Sequence, residues 1–296
     1  MIPVSFYCEW EELRTESARR QMMADFAAAG AKNIVLTDGL LSLIAGDPKL
    51  YRQLPRELAD AGLNFADAHL PYHGYCDLWV PIPERRPQLL ARMKFMLQLI
   101  ADYGIKTCTV HTGNRVYYPE YTLARHRDAA RASLDELLPL AEKLDITLGL
   151  ENLFKPLSDL KTIIEFNEEF RSDHLGACFD SGHANVMEQG VKYPDCVAVS
   201  RWEAFDMPIE WAKNLLEGML PYVVNCHLHD NNADTDAHEL PGRGTVDWKN
   251  VVAKLRTAPR LKCIQSEVKP LRNRIAINTL VGTFRDLLKD FTQGTY

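Results

Sequence analysis

The 296-residue chain contains no Cys-x-x-Cys pair, no low-complexity segment, no Gly-x-Gly-x-x-Gly turn and no long uninterrupted apolar run. The longest apolar stretches are broken by charges, as in ARMKFMLQLIADYG, and the N-terminus lacks a basic region followed by an apolar one. Neither a membrane-spanning helix nor a signal peptide is therefore expected, and no membrane partner. The seven cysteines are scattered, several of them (Cys108, Cys178, Cys263) within apolar strand-like runs, and read as reduced core residues of a cytoplasmic protein. A formal net charge of -6 argues against extensive nucleic-acid wrapping, although a whole-chain count does not see a local basic groove. With 46% hydrophobic residues the chain has enough apolar material for a large core, as one α/β barrel or two smaller domains.

What is present is a regular alternation of strand and helix signals. Strands are expected at 4–10, 32–39, 63–69, 105–111, 145–152, 174–183, 222–230 and 262–268. Helices are expected after Thr15, over 48–62 and 84–103, across TLARHRDAARASLDELLPLAEKL, after Pro156, near 206–218, at DWKNVVAKLR and over the closing IAINTLVGTFRDLLKDF. AAAGAKNIVL, LADAGLNFAD and IADYGIKTCT each end a helix at Gly and enter a strand, while AEKLDITLGL does so without Gly. Eight such units, with no clear linker, fit a single (β/α)₈ TIM barrel domain over 1–296. The doubly wound sheet is the rival, and the missing glycine-rich turn weakens it.

The densest chemistry lies in NCHLHDNNADTDAHELPGRGTVDW (225–248), which holds three of the nine histidines among several acids. The other strands supply partners. His69, His111, Glu151, Asp180, His227 and Glu267 each fall at or within about a residue of the C-terminal end of the third to eighth strands. In a barrel those ends converge on the face where active sites are built. Side-chain alternation sharpens the expectation: inward Glu151 takes Gly149 and Thr147 inward, Asp180 takes Cys178, and Glu267 takes Gln265 and Cys263, while Leu148, Leu150, Ile264 and Val268 face the helices. Any one of these polar residues is as readily a cap or a hydrogen-bonded support; six together are not. Glu151, Asp180, His227 and Glu267 form a hard-to-borderline donor set suited to Mn²⁺, Co²⁺, Mg²⁺ or Zn²⁺. Without a cation, three crowded carboxylates are expected to raise each other's pKa values.

At this point the chain resembles the xylose-isomerase-like barrels, a superfamily of sugar isomerases, epimerases and abasic-site DNA endonucleases. The resemblance runs through HLP (69–71) with DLWVP (77–81), VHTGN (110–114), LENL (150–153), CFDSGHANV (178–186), HLHDNN (227–232) with DAHELPGRGTVDW (236–248), and SEV (266–268). Each is weak alone; their order is specific to the fold and not to the reaction. In the isomerase and epimerase branch the resemblance implies one divalent metal on Glu151, Asp180, His227 and Glu267. Glu151 and Glu267 would pass a proton to and from a carbon of a ketose or related polyol, and the metal would stabilise the enediolate oxygen. His183 would contact substrate, with His69, His73, His111 and Arg243 as further substrate-binding candidates.

The endonuclease branch implies instead up to three Zn²⁺, with His69, His111, His183, Asp236 and His238 added to the ligands, and hydrolysis of a phosphodiester in abasic DNA. Nucleic acid enters as a partner only on that alternative; otherwise the partner is a small sugar or polyol. A barrel that binds sugar without turning it over is a third reading, and the assembly state, including a homo-oligomer, stays open. Asp77, Trp79 and Trp10 are weighed as sugar-facing residues against loop or core roles. His229 is weighed as a donor to a ligand.

Overall fold

The computed structural model describes residues 2–72, 76–113, 118 and 120–292. Eight strands, β1 (Val4–Phe6), β2 (Asn33–Leu36), β3 (Asn64–His69), β4 (Thr107–Val110), β5 (Thr147–Glu151), β6 (Leu175–Asp180), β7 (Val223–Leu228) and β8 (Cys263–Ser266), close a parallel barrel in sequence order. Closure is made by β8 against β1, with Ser5 opposite Gln265. Around it run α1 (Glu16–Ala28), α2 (Asp38–Gly46), α3 (Pro48–Ala61), α4 (Arg86–Asp102), α5 (Leu123–Lys143), α6 (Leu160–Phe170), α7 (Ser181–Gln189), α8 (Val197–Glu203), α9 (Leu215–Met219), α10 (Trp248–Leu255), α11 (Ile277–Leu287) and α12 (Lys289–Thr292). The expected (β/α)₈ barrel is the observed fold. No helix among the described residues is long and apolar enough to cross a membrane, and all seven cysteines are buried and unpaired.

Local chemistry sets the element ends. The side chains of Thr15, Thr37, Asp47, Thr122, Asp159, Asp180 and Asp247 each accept a backbone N–H in the first turn of a helix, satisfying donors that have no partner within it. Gly62 ends α3 at φ 68, and its N–H returns to the carbonyls of Leu58 and Ala59. The helix that closes without Gly uses Asp145 at φ 55, a position that Asp tolerates better than most side chains. Outside the barrel, Leu148, Leu150, Ile264 and Val268 are at most 1% exposed and join the apolar core shared with the helices, as the alternation requires. Inside it, a Cβ on Gly149 would meet Asn225 Oδ1 at 2.4 Å and Cys178 Cβ at 3.3 Å, so these side chains share the barrel axis.

Several boundaries differ from the sequence reading. β1 ends at Phe6 rather than 10, and Trp10 opens a 3₁₀ turn whose indole packs on Phe26, fully buried in the core and not facing the site. β6 stops at Asp180 because that side chain caps α7, so His183 sits in the first turn of a helix and not in a strand. Helices α2, α7 and α8 were not expected. The one expected near 206–218 shrinks to Leu215–Met219: Asp206 and Asn214 adopt left-handed φ values of 52 and 53, and Pro208 disfavours helix at Met207. Trp79 is fully buried with its ring against Gly113, where a Cβ would lie 2.0 Å away.

Candidate metal centre

The barrel brings the ligand-type residues to one end. His69, Glu151 and Asp180 are the last residues of β3, β5 and β6, His111 and Glu267 follow β4 and β8, and His227 is one short of the end of β7. The segment after β7 then folds back over this end. Asp230 and Glu239 exchange backbone hydrogen bonds of 2.8 and 2.9 Å. The buried Asp230 carboxylate accepts from Gly242 N (2.8 Å), Val246 N (3.2 Å) and Trp248 Nε1 (2.8 Å), which pins the Pro-Gly-Arg-Gly turn. That turn needs Gly244, since a Cβ there would lie 2.1 Å from Asn231 O. The clamped loop delivers Asp236 and His238, whose Nε2 and Oδ2 are 3.0 Å apart, beside Glu267.

The histidines are oriented by what their second nitrogens touch. His69 Nδ1 lies 2.8 Å from Leu70 O, His183 Nδ1 2.9 Å from Asn152 O, and His238 Nδ1 2.8 Å from Glu267 O. A ring nitrogen facing a carbonyl must donate, so in the neutral tautomer Nδ1 carries the proton and Nε2 offers its lone pair to the site. For His183 this directs Nε2 at Asp236 Oδ2 (3.6 Å), although Nδ1 is also within 3.4 Å of Asp180 Oδ1. His227 is turned the other way: Nε2 meets Thr109 Oγ1 at 3.0 Å, and Nδ1 faces Glu151 Oε1 (3.1 Å), Glu267 Oε2 (3.4 Å) and Asp180 Oδ2 (3.9 Å). Glu151 divides its oxygens, with Oε2 at 2.5 Å from His111 Nε2 and 3.3 Å from His69 Nε2. Asp180 also divides its work: Oδ1 caps α7 at His183 N (2.6 Å), and Oδ2 accepts from His229 Nε2 (3.0 Å).

The electrostatics correct one expectation. Burial raises carboxyl pKa values and Glu151 raises that of Glu267, as crowding requires, yet Glu151 and Glu267, and Asp236 beside them, are held low, because His227 and His111, again His227, and His238 and His183 lie against them. The imidazoles take the part that the sequence reading reserved for a cation. Burial lowers His183 but Asp180 and Asp236 outweigh it, leaving it at about 10, while His111 is held at about 3, chiefly by burial. A metal ion binds such a cluster by displacing its protons. Ligand atoms of His69, Glu151, His227 and Glu267 lie within 4.8 Å of one another, as do those of His229, Asp236 and His238, and those of Asp180, His229 and Glu267. Several clusters of this buried network can therefore coordinate a divalent ion.

A family model described as xylose isomerase-like TIM barrel matches residues 23–264. The chain belongs to that family. This xylose isomerase-like barrel is 24% identical over 163 residues to an uncharacterized protein of Methanocaldococcus jannaschii, and spans about half (49%) of that relative's length. Among solved structures it resembles a D-tagatose 3-epimerase-like protein (TM-score 0.70, 18% identity, 99% of this chain and 97% of that one). It also resembles a Thermus thermophilus protein soaked with ZnCl2 (TM-score 0.62, 23% identity, 100% of both chains).

A cavity of about 240 Å³ opens over the cluster of this xylose isomerase-like barrel, lined by His69, His111, Glu151, His183, Asp236, His238 and Glu267 among others. Asp180 and His227 lie behind, fully buried. Arg243 is not brought to the cavity: half exposed, it pairs with Glu239 at 3.3 Å. His73 lies outside the described residues. Sequence reasoning missed Tyr7 and Asp38, which line the cavity from just beyond β1 and β2. The signal was the strand end, hidden for Tyr7 because the first strand was read too long. Of His229 it saw only an undecided donor; the ring is fully buried and stacks on His238 with centroids 4.1 Å apart.

Proposed function

We propose that this barrel is a divalent-metal-dependent isomerase or epimerase of a ketose or related polyol. The observation that carries the reading is the meeting of Glu151 and Glu267 from β5 and beyond β8 at His227 Nδ1, at 3.1 and 3.4 Å, under a cavity of monosaccharide size. Two carboxylates facing one small pocket can remove a proton from carbon and return one. Held by Glu151, Asp180, His227 and Glu267, a divalent ion supplies charge stabilisation to a sugar oxygen beside that carbon, which lowers the cost of deprotonation. His69, His111 and His183 present Nε2 to the cavity and contact substrate, and His73 is a further candidate by resemblance. The donor set takes Mn²⁺, Co²⁺, Mg²⁺ or Zn²⁺. Seven unpaired buried cysteines fit a reducing, cytoplasmic setting. The neighbour named as D-tagatose 3-epimerase-like supports the same reaction class.

A second reading, a zinc-dependent phosphodiester hydrolase acting on abasic DNA, has a specific observation in its favour. His183 and His238 both turn Nε2 toward Asp236, at 3.6 and 3.0 Å, and Glu151 splits its oxygens between two groups of imidazoles, an arrangement suited to as many as three Zn²⁺. We favour the sugar reaction because the cavity over the cluster, about 240 Å³, is of monosaccharide size. The deciding experiment incubates the metal-loaded protein in deuterated water with a panel of free and phosphorylated ketoses and inositol derivatives, beside a duplex carrying an abasic site. Deuterium at the carbon next to a carbonyl supports the proposal. Strand cleavage without exchange moves the protein to the hydrolase reading, and saturable sugar binding without either product makes it a non-catalytic binder.

A further inference from the structure

The interior of the barrel directly beneath the metal cluster is polar. TIM-barrel interiors are usually filled by layers of branched apolar side chains, but here Asp67, Thr109, Cys178 and Asn225, all essentially without exposure, occupy that space with Gly149. A buried carboxylate costs several kcal/mol unless it is compensated (about 3–5 when its partner is removed). Its retention at Asp67 calls for a physical reason.

The hydrogen bonds supply one. Asn225 Nδ2 donates both hydrogens, to Asp67 Oδ2 (3.1 Å) and to Thr109 Oγ1 (2.7 Å), and Thr109 Oγ1 lies 3.0 Å from His227 Nε2. Asp67 Oδ1 also accepts from Ala68 N at 3.0 Å, which holds the carboxylate in place on β3. Gly149 belongs to the same design, since any side chain there would strike Asn225 Oδ1. The chain of contacts runs from an acidic residue on β3, through β7 and β4, to the ring nitrogen of His227 that does not face the carboxylates. His69, His183 and His238 are oriented by backbone carbonyls. His227, the imidazole nearest to Glu151, Asp180 and Glu267 together, is oriented by side chains alone.

We propose that Asp67 is a positioning residue for the metal centre: through Asn225 and Thr109 it holds the His227 ring with Nε2 on the Thr109 hydroxyl and Nδ1 turned toward Glu151, Asp180 and Glu267. The inference rests on the metal reading of the site and not on which reaction the site performs. Asn225 donates to Thr109 Oγ1, and Thr109 Oγ1 accepts from His227 Nε2 when an ion takes the Nδ1 lone pair, so the ring cannot flip without breaking a buried hydrogen bond. An imidazole ligand is oriented by the partner of its second nitrogen, and loss of such a partner typically costs about 10–100-fold in metal affinity.

The test uses the full chain stripped of metal and titrated with Co²⁺, read both as a dissociation constant and as the visible absorption of the bound ion, which reports coordination geometry. Thr109→Val keeps the shape and removes the hydroxyl; it is expected to weaken Co²⁺ binding about 10–100-fold and to alter the spectrum, and Thr109→Ser to restore both. Asp67→Asn, with its shape kept, is expected to weaken binding in the same direction and serves if Thr109→Val does not fold. Wild-type affinity and spectrum in Thr109→Val, or in Asp67→Asn should it alone fold, overturn the relay. A wild-type chain that takes up no Co²⁺ overturns the metal reading itself.

Discussion

Gly182→Ala probes the packing that holds the second nitrogen-rich layer of the site. A Cβ at Gly182 would lie 2.0 Å from His229 Cε1 and 2.6 Å from its Nδ1. Carbon atoms in contact sit at about 3.5–4.0 Å, so the ring must withdraw by roughly 1.5 Å from a fully buried position. That motion breaks the 3.0 Å bond from His229 Nε2 to Asp180 Oδ2 and the stack on His238. Overpacking costs about 1–3 kcal/mol and a lost hydrogen bond to a charged group about 1.5–3, so a loss of about 2.5–6 kcal/mol is expected in the metal-free protein. Asp180, freed from its donor, should also bind a divalent ion about 10–100-fold more weakly. The assay is a double-mutant cycle on thermal or urea unfolding, with His229→Ala as the second substitution. In that background the clash is gone, and Gly182→Ala should become neutral or stabilising by up to about 1 kcal/mol, since Ala is the better residue inside a helix. An equal penalty in both backgrounds would refute the steric argument, because the cost could then not come from His229.

Two further outcomes follow from the site. Replacing Glu151 or Glu267 by Gln should lower solvent-deuterium exchange into a ketose by at least about 10²–10⁴, the ordinary range for a general base, because each acts on the proton and on the ion; exchange at the wild-type rate would remove both from the chemistry. Stability of the metal-free protein should depend on pH through His183, raised in the folded chain to about 10 from an ordinary 6.5 by Asp180 and Asp236 against the opposing effect of burial. A raised folded pKa gives stability that is complete below 6.5 and is lost as pH climbs through 10, at about 1.4 kcal/mol per unit. Melting curves in a chelator should therefore fall between pH 6.5 and 9.5, and the fall should shrink in His183→Gln; a flat profile in the parent protein would show that His183 carries no such proton.

Much of this site was legible in the sequence because barrel strands report their own ends. An apolar run that stops at a His, Asp or Glu places that residue at the mouth, and Glu151 and Asp180 needed no more than that. The inward partners of Glu151 followed from alternation, and Gly149 is found against Cys178 and Asn225. Where a side chain bonds a nearby backbone N–H, the rule failed: the strand was read on to His183, yet the Asp180 carboxylate accepts from His183 N, caps α7 and puts His183 on a helix. Asp67 was invisible for a different reason. It lies two residues before His69 on the same face, a layer below the mouth, and only the three-dimensional partners Asn225 and Thr109, 158 and 42 residues further along the chain, give it a role. Arg243 was a substrate-binding candidate, but the turn that Asp230 clamps carries it to the surface beside Glu239.

The account stands on a divalent ion held by Glu151, Asp180, His227 and Glu267 in the service of proton transfer. Its most direct test is a titration of metal-stripped protein with Mn²⁺ or Co²⁺ while deuterium uptake into the best ketose of the panel is followed. The account predicts no exchange without metal and a rise that saturates as the ion fills its site. Exchange that proceeds at full rate in the stripped protein, or metal binding that never brings exchange with any ketose, would contradict it.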